Sequence, residues 1–233
     1  MQQRTWGLTG NQLKILALVA MTCDHVGLQL LPQVGLLRII GRLALPIYAY
    51  MIAEGCRYTS NRMRYLGRLA ALAAVCQIVY FFALGSLYQC ILVTFSLSVI
   101  LIWLTDRALQ RRDGLSVVLA ATALAAVWFV CTGLPRILTR TDFAVDYGFI
   151  GVMIPVMVYY AGSKKEKVLA LAAGALLLAL ETGGAQWFGL AAVPLLALYN
   201  GQRGKWKIGG LFYLYYPLHL VAIYGISLLC RLL

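Results

Sequence analysis

Nine apolar runs, most of them close to the length that crosses a bilayer, follow one another along this 233-residue chain and limit what it can fold into. A hydrocarbon core about 30 Å thick takes about 20 helical residues, a length that a soluble core does not ask for again and again. The runs lie at roughly 12–31, 36–56, 65–85, 88–105, 115–134, 147–162, 166–182, 186–200 and 209–230. The sixth and eighth are short enough to lie tilted, interfacial or partly re-entrant, so eight to ten crossings fit the pattern. Backbone groups inside lipid must find partners within their own segment. The expected fold class is therefore all-α, a polytopic transmembrane helical bundle of about nine helices. Composition agrees, because 62% hydrophobic residues against 12% charged ones exclude an ordinary water-soluble domain. No repeat, low-complexity tract or linker interrupts the chain, which reads as a single domain over 1–233.

The basic residues test this division independently, since cytoplasmic loops collect Lys and Arg. After the second, fourth, sixth and eighth segments come Arg57/Arg62/Arg64/Arg68, Arg107/Arg111/Arg112, Lys164/Lys165/Lys167 and Arg203/Lys205/Lys207. The turns after the first, third and seventh carry none; the turn after the fifth carries Arg136 and Arg140, offset by Asp142 and Asp146. Nine crossings then put the N-terminus in the cytoplasm and the C-terminus outside. The net charge of +12 reads as this topological signal, with no nucleic-acid partner implied. Residues 1–10 are polar and lack a cleavable look, so the first segment reads as a retained helix. The six cysteines show no CxxC spacing and read as small core residues, without a disulfide framework or zinc site. No di-metal carboxylate spacing, GxxxxGK[ST] or GxSxG is present.

Ionisable groups at membrane depth are costly and mark functional candidates. Asp24 and His25 lie inside the first segment, His25 about 20 Å along it and past the midplane. Adjacent on a helix, they point about 100° apart and need not touch. His25 reads as a general base with Asp24 orienting a neighbour, or the two as a buried polar pair that fixes packing. In the second segment, Arg38 is placed to snorkel to the outer surface. Arg42, a turn deeper, either pairs with Asp24 or holds an anionic group such as a phosphate or thioester oxyanion. Pro46 is expected to kink this helix. Glu54, at its cytoplasmic end, either neutralises Arg57 or Arg62 or faces substrate. The ninth segment groups Tyr213, Tyr215, Tyr216 and Pro217 around His219, a face of hydroxyls about a histidine near mid-membrane. The plain alternative is a hydrogen-bonded core histidine among interface aromatics. Asp146 opens the sixth segment, where a carboxylate favours the positive end of a helix. The turn Asn200-Gly201-Gln202-Arg203-Gly204, with Lys205, either cradles phosphate or is an ordinary basic loop. Glu181 has no assignment.

The stretches TCDHVG at 22–27, GRLALPIYAYMIAEG at 41–55, TSNRMRYLGRL at 59–69, DYGFIGV at 146–152, YNGQRG at 199–204 and GGLFYLYYPLHL at 209–220 together resemble, in this order, the TraX family of membrane proteins named for acetylation of conjugative pilin. The third segment departs from the family pattern: Gln77 stands where an acidic residue is usual, and Val79-Tyr80 replace Pro-Phe. That departure points to a different acceptor. The family is similar in turn to membrane-bound acyltransferases that take acetyl-CoA from the cytosol. The resemblance implies an acetyltransferase of a bacterial cytoplasmic (inner) membrane, with His25 as base and an acceptor that is a membrane-inserted peptide N-terminus, a glycan or a lipid. It implies further that Arg42 polarises the acyl donor, that Tyr215, Tyr216 and His219 position it or stabilise an oxyanion, and that Arg203, Lys205 and Lys207 attract the phosphates of coenzyme A. Glu54 and Asp146 are candidates for the acceptor side. Two rival readings stay open: a transporter with an Asp24/Arg42/His219 site, and a non-enzymatic assembly factor.

Overall fold

The computed structural model describes residues 6–205 and 209–232. Among these, every long element is a helix. In chain order they are α1 (Gly10–Gln29), α2 (Gly35–Gly41), α3 (Ala44–Tyr58), α4 (Arg62–Leu84), α5 (Ile91–Arg111), α6 (Gly114–Trp128), a π turn (Phe129–Gly133), α7 (Leu134–Ile137), α8 (Gly148–Tyr160), α9 (Lys164–Thr182), a 3-10 stretch (Gly184–Ala191), α10 (Ala192–Ala197) and α11 (Gly209–Leu232). Each expected apolar run is helical. Four stretches, Gly35–Tyr58, Arg62–Phe82, Ile91–Arg111 and Gly114–Ile137, are long and apolar enough to cross a membrane, and the chain is a multi-pass membrane protein. Outward-facing Phe82, Leu115 and Val118 present apolar surface to lipid.

Side-chain caps fix where helices begin. Thr9 and Gln12 close a capping box on α1, Asn61 accepts the Arg64 amide at 2.8 Å on α4, Asp113 accepts the Ser116 amide at 2.7 Å on α6, and Ser163 with Glu166 boxes α9. All four caps lie in the N-terminal stretch or in basic loops. Three of the expected runs are interrupted or change helix type along their length. The second run is broken at Arg42–Leu43, so Pro46 falls in the first turn of α3, where its missing N–H costs nothing, and produces no mid-helix kink. The fifth passes through a π turn just before Pro135, which cannot donate its own ladder bond. The eighth begins as 3-10 and continues as α10, entered through two glycines of positive φ, Gly183 (70°) and Gly184 (53°).

The chain forms two compact units, Ile52–Tyr160 and the remainder. In the unit of residues 52–160, α5 packs against α4, α6 and α8 around Val99, Ile102, Val127 and Val152. Ser98 Oγ donates to the Val152 carbonyl at 2.8 Å and Thr94 Oγ1 to that of Asp146 at 2.7 Å, tying α5 to α8. In the other unit α1 packs on α2 and α11, and the 3-10 stretch packs on α2 and α9. The two faces of α1 so covered carry Asp24 and His25.

Candidate functional site

Asp24 is the hub on the α2 side. Its Oδ2 receives Arg38 Nη1 at 2.8 Å, and its Oδ1 receives Arg42 Nη2. Arg38 and Arg42, four residues apart on α2, reach the same carboxylate because Gly27 and Gly41 let the helices touch. A Cβ at Gly41 would fall within 3.0 Å of the Asp24 side chain, and one at Gly27 would sit 2.8 Å from Leu37 Cβ. The Arg42 fork is held further by Gln186 Oε1 at 3.2 Å and by the Arg38 carbonyl at 3.4 Å. Arg42 thus takes the pairing with Asp24 that the sequence left open. Arg38, placed at the outer surface by sequence, turns inward instead, since a carboxylate in reach outweighs a short climb to water. Its side chain is 31% exposed.

On the α11 side of α1, His25 Nδ1 lies 2.8 Å from His219 Nε2, and His219 Nδ1 lies 3.0 Å from the Tyr215 carbonyl. A carbonyl only accepts, so His219 carries its proton on Nδ1 and offers the Nε2 lone pair. His25 therefore donates from Nδ1, which leaves its Nε2 as a lone pair with no hydrogen-bond partner among the described residues. Tyr215 stacks on His219 with 5.2 Å between ring centroids, and Tyr216 meets it edge-on at 5.3 Å. Thr22 Oγ1 donates to Leu18 O at 2.9 Å and so accepts from Tyr215 OH at 2.8 Å. The second histidine is buried and its ring orientation is fixed from three sides. Such an array can take a proton at His25 Nε2 and share the resulting charge along two ordered hydrogen bonds.

The expected residues divide by place. His25, Asp24, Arg42, Tyr215, Tyr216 and His219 meet around α1. Arg203 and Lys205 lie at its other end: the Arg203 carbonyl accepts the Asn11 amide at 2.9 Å, and His25 stands roughly 20 Å further along the helix. Both cations are exposed there. Lys207 and the side chain of Tyr213 lie outside the described residues. Glu54 and Asp146 belong to the unit of residues 52–160. Glu54 is buried there. Arg62 pairs at 3.0 Å with Asp106, which also accepts Tyr159 OH at 2.7 Å and Tyr160 OH at 3.0 Å. Asp146 accepts Tyr88 OH at 2.7 Å, and Tyr147 after it takes a φ of 58°, a left-handed backbone rare for an aromatic residue. Gln77 donates to Ser86 O at 3.3 Å, while its Oε1 is buried without a partner among the described residues. Sequence reasoning missed Gln186, Thr22 and Asp106, whose partners lie on distant segments.

Comparison with known proteins adds an independent line. The family profile described as TraX protein matches residues 9–227. The chain is 30% identical over 254 residues, 94% of its own length and 93% of the relative's, to the probable fimbrial assembly protein FimC, serogroup H1, of Dichelobacter nodosus. A shorter match, 53% over 38 residues, joins 16% of this chain to 15% of the uncharacterized protein RP591 of Rickettsia prowazekii (strain Madrid E). No solved structure matches. The profile extends from the cap of α1 to the far side of His219, and the chain belongs to the TraX family.

Proposed function

We propose that this protein is a membrane-bound acyltransferase that moves an acetyl group from cytosolic acetyl-CoA to an amine or hydroxyl of a membrane-inserted peptide, in a bacterial inner membrane with its N-terminus in the cytoplasm. The observation that carries the reading is the ordered pair of histidines, which leaves His25 Nε2 as an accepting nitrogen. In the reaction, the nucleophile adds to the thioester carbonyl while His25 Nε2 removes its proton. The C–S bond then breaks and the proton passes to the departing thiolate, so coenzyme A leaves as the thiol. His219 accepts from His25 Nδ1–H throughout and stabilises the imidazolium, which makes it a positioning residue. The basic loop of Arg203 and Lys205 attracts the nucleotide phosphates.

The experiment is thiol release from acetyl-CoA by the purified protein in lipid nanodiscs, with and without acceptor peptide. His25→Ala should lower turnover by about 10²–10⁴-fold with coenzyme A still bound. His219→Gln should lower turnover and reshape its pH profile, because His25 loses its accepting partner. Retained turnover in His25→Ala refutes the assignment. One observation favours a second reading: the relative from Dichelobacter nodosus bears the name of an assembly protein. A non-enzymatic assembly factor would leave both variants functional in vivo and release no thiol in vitro.

A further inference from the structure

Arg38 makes only part of the bonds it is built to make. Its Nη1 serves both Asp24 Oδ2, at 2.8 Å, and the Asp24 carbonyl, at 3.4 Å. The other guanidinium edge, Nε and Nη2, meets no acceptor among the described residues. The carboxylate it leans on is shared with Arg42, so the trio sums to one positive charge. At membrane depth a guanidinium with an open edge is costly, and an incoming anion relieves that cost. His25 follows Asp24 directly along α1.

We propose that the acceptor is an acidic peptide segment whose carboxylate, close in sequence to the group to be acylated, docks on the open edge of Arg38. The inference rests on the acyl-transfer reading of the same site and names the substrate that reading lacks. Two alternative anions fit the placement less well. The phosphates of coenzyme A, attracted to Arg203 and Lys205, stand near the other end of α1, roughly 20 Å away. Lipid phosphates lie outside the hydrocarbon, whereas Asp24 lies about 8 Å inside the Gln29 end of α1. A side chain on a membrane-inserted peptide is carried to that depth by its own backbone. An Arg–carboxylate bond there is bidentate and charge-assisted, so the recognition is also directional.

The test is binding, measured apart from catalysis. Two synthetic single-span peptides, identical except for Glu or Gln within four residues of a free N-terminus, are titrated against the protein in zwitterionic nanodiscs. The Glu peptide should bind wild type about tenfold more tightly than the Gln peptide. Arg38→Gln should erase that gap by weakening the Glu peptide alone. Arg42 still neutralises Asp24 in this variant, and a melting curve checks its fold; Arg38→Lys, which keeps the charge, should retain part of the gap if Arg38→Gln does not fold. No gap in wild type, or an equal gap in a folded Arg38→Gln protein, overturns the proposal. So does Arg38-dependent loss of peptide binding on adding anionic lipid with no difference between the peptides, because the anion is then a lipid phosphate. An Arg38-dependent gap without any acetyl transfer sinks the acyltransferase reading and leaves only the carboxylate dock on Arg38 standing. Transfer to both peptides at equal KM does the reverse.

Discussion

Replacing Gly41 by alanine adds one methyl group where the ionisable cluster is tightest. The new Cβ would fall within 3.0 Å of Cβ, Cγ and Oδ1 of Asp24, distances that real contacts do not show. These atoms cannot swing aside, since the carboxylate is held by Arg38 and Arg42 and its Cβ by the backbone of α1. The helices must part by a distance on the order of 1 Å, an overpacking strain of about 1–3 kcal/mol. If the parting also opens one arginine bond, the loss approaches the 3–5 kcal/mol typical of a broken buried pair. We expect a loss of about 1–5 kcal/mol, whose upper end reaches the range that unfolds a marginal domain. Gly35, on the same short helix, has nothing within 4 Å of its notional Cβ, so Gly35→Ala should stay within about 1 kcal/mol of wild type. Reversible denaturant unfolding in mixed micelles, followed by far-UV circular dichroism, measures both. Equal midpoints for Gly41→Ala and Gly35→Ala would refute the claim that close helix contact holds the Asp24 cluster together.

Other changes probe separate parts of the molecule. Arg203→Gln with Lys205→Gln should raise the KM for acetyl-CoA several-fold with kcat little changed, and should flatten its salt dependence; an unchanged KM would make these residues topological only. Arg42→Lys should lower the melting temperature, because an ammonium cannot span Asp24, Gln186 and the Arg38 carbonyl together; an unchanged melt would make the fork dispensable. Asp106→Asn should destabilise by about 2–4 kcal/mol, as the Arg62 charge and two tyrosine hydroxyls lose an anionic acceptor; urea titration reads it. The Asp142 carboxyl is held below the ordinary carboxylate range by the Ser86 hydroxyl and the Leu87 amide. Its contribution is therefore complete above the unfolded value near 3.9 and fades as pH falls through its lower folded value. The protection factor of the Leu87 amide should drop as pH falls below about 4, whereas in an Asp142→Asn variant it should be low already at pH 7.

The helices were legible because bilayer thickness demands a run length and the helix satisfies its own backbone groups. What breaks a helix without ending its apolar run was not. The interruption at Arg42–Leu43 and the 3-10 stretch Gly184–Ala191 follow from close packing and from glycine dihedrals that hydropathy does not register. The fourth run ends at residue 105 by hydropathy, with Arg107 and Arg111 read as loop charges, yet α5 continues to Arg111. A carboxylate satisfied by Arg62 and two tyrosines is as well placed inside a helix as a leucine. Within the site, Asp24, His25, Arg42 and His219 were each legible as costly residues at depth. Their partners were less so: Arg42 with Asp24 was one of two options, and the contact of His25 with His219 joins residues 194 positions apart. No local pattern reports a contact at that separation.

That separation also sets an order of events during synthesis. Asp24 meets Arg38 and Arg42 almost as soon as α1 and α2 leave the ribosome, so its charge can be neutralised while the rest of the chain is still unmade. His25 must wait for a partner that, at about 5–20 residues per second, is translated on the order of ten seconds or more later. Until then its imidazole faces lipid or an insertase in place of His219. A nascent chain stalled between α2 and α11 would carry the ion cluster complete and the histidine pair absent. Synthesis of α11 is the step that brings the two histidines together.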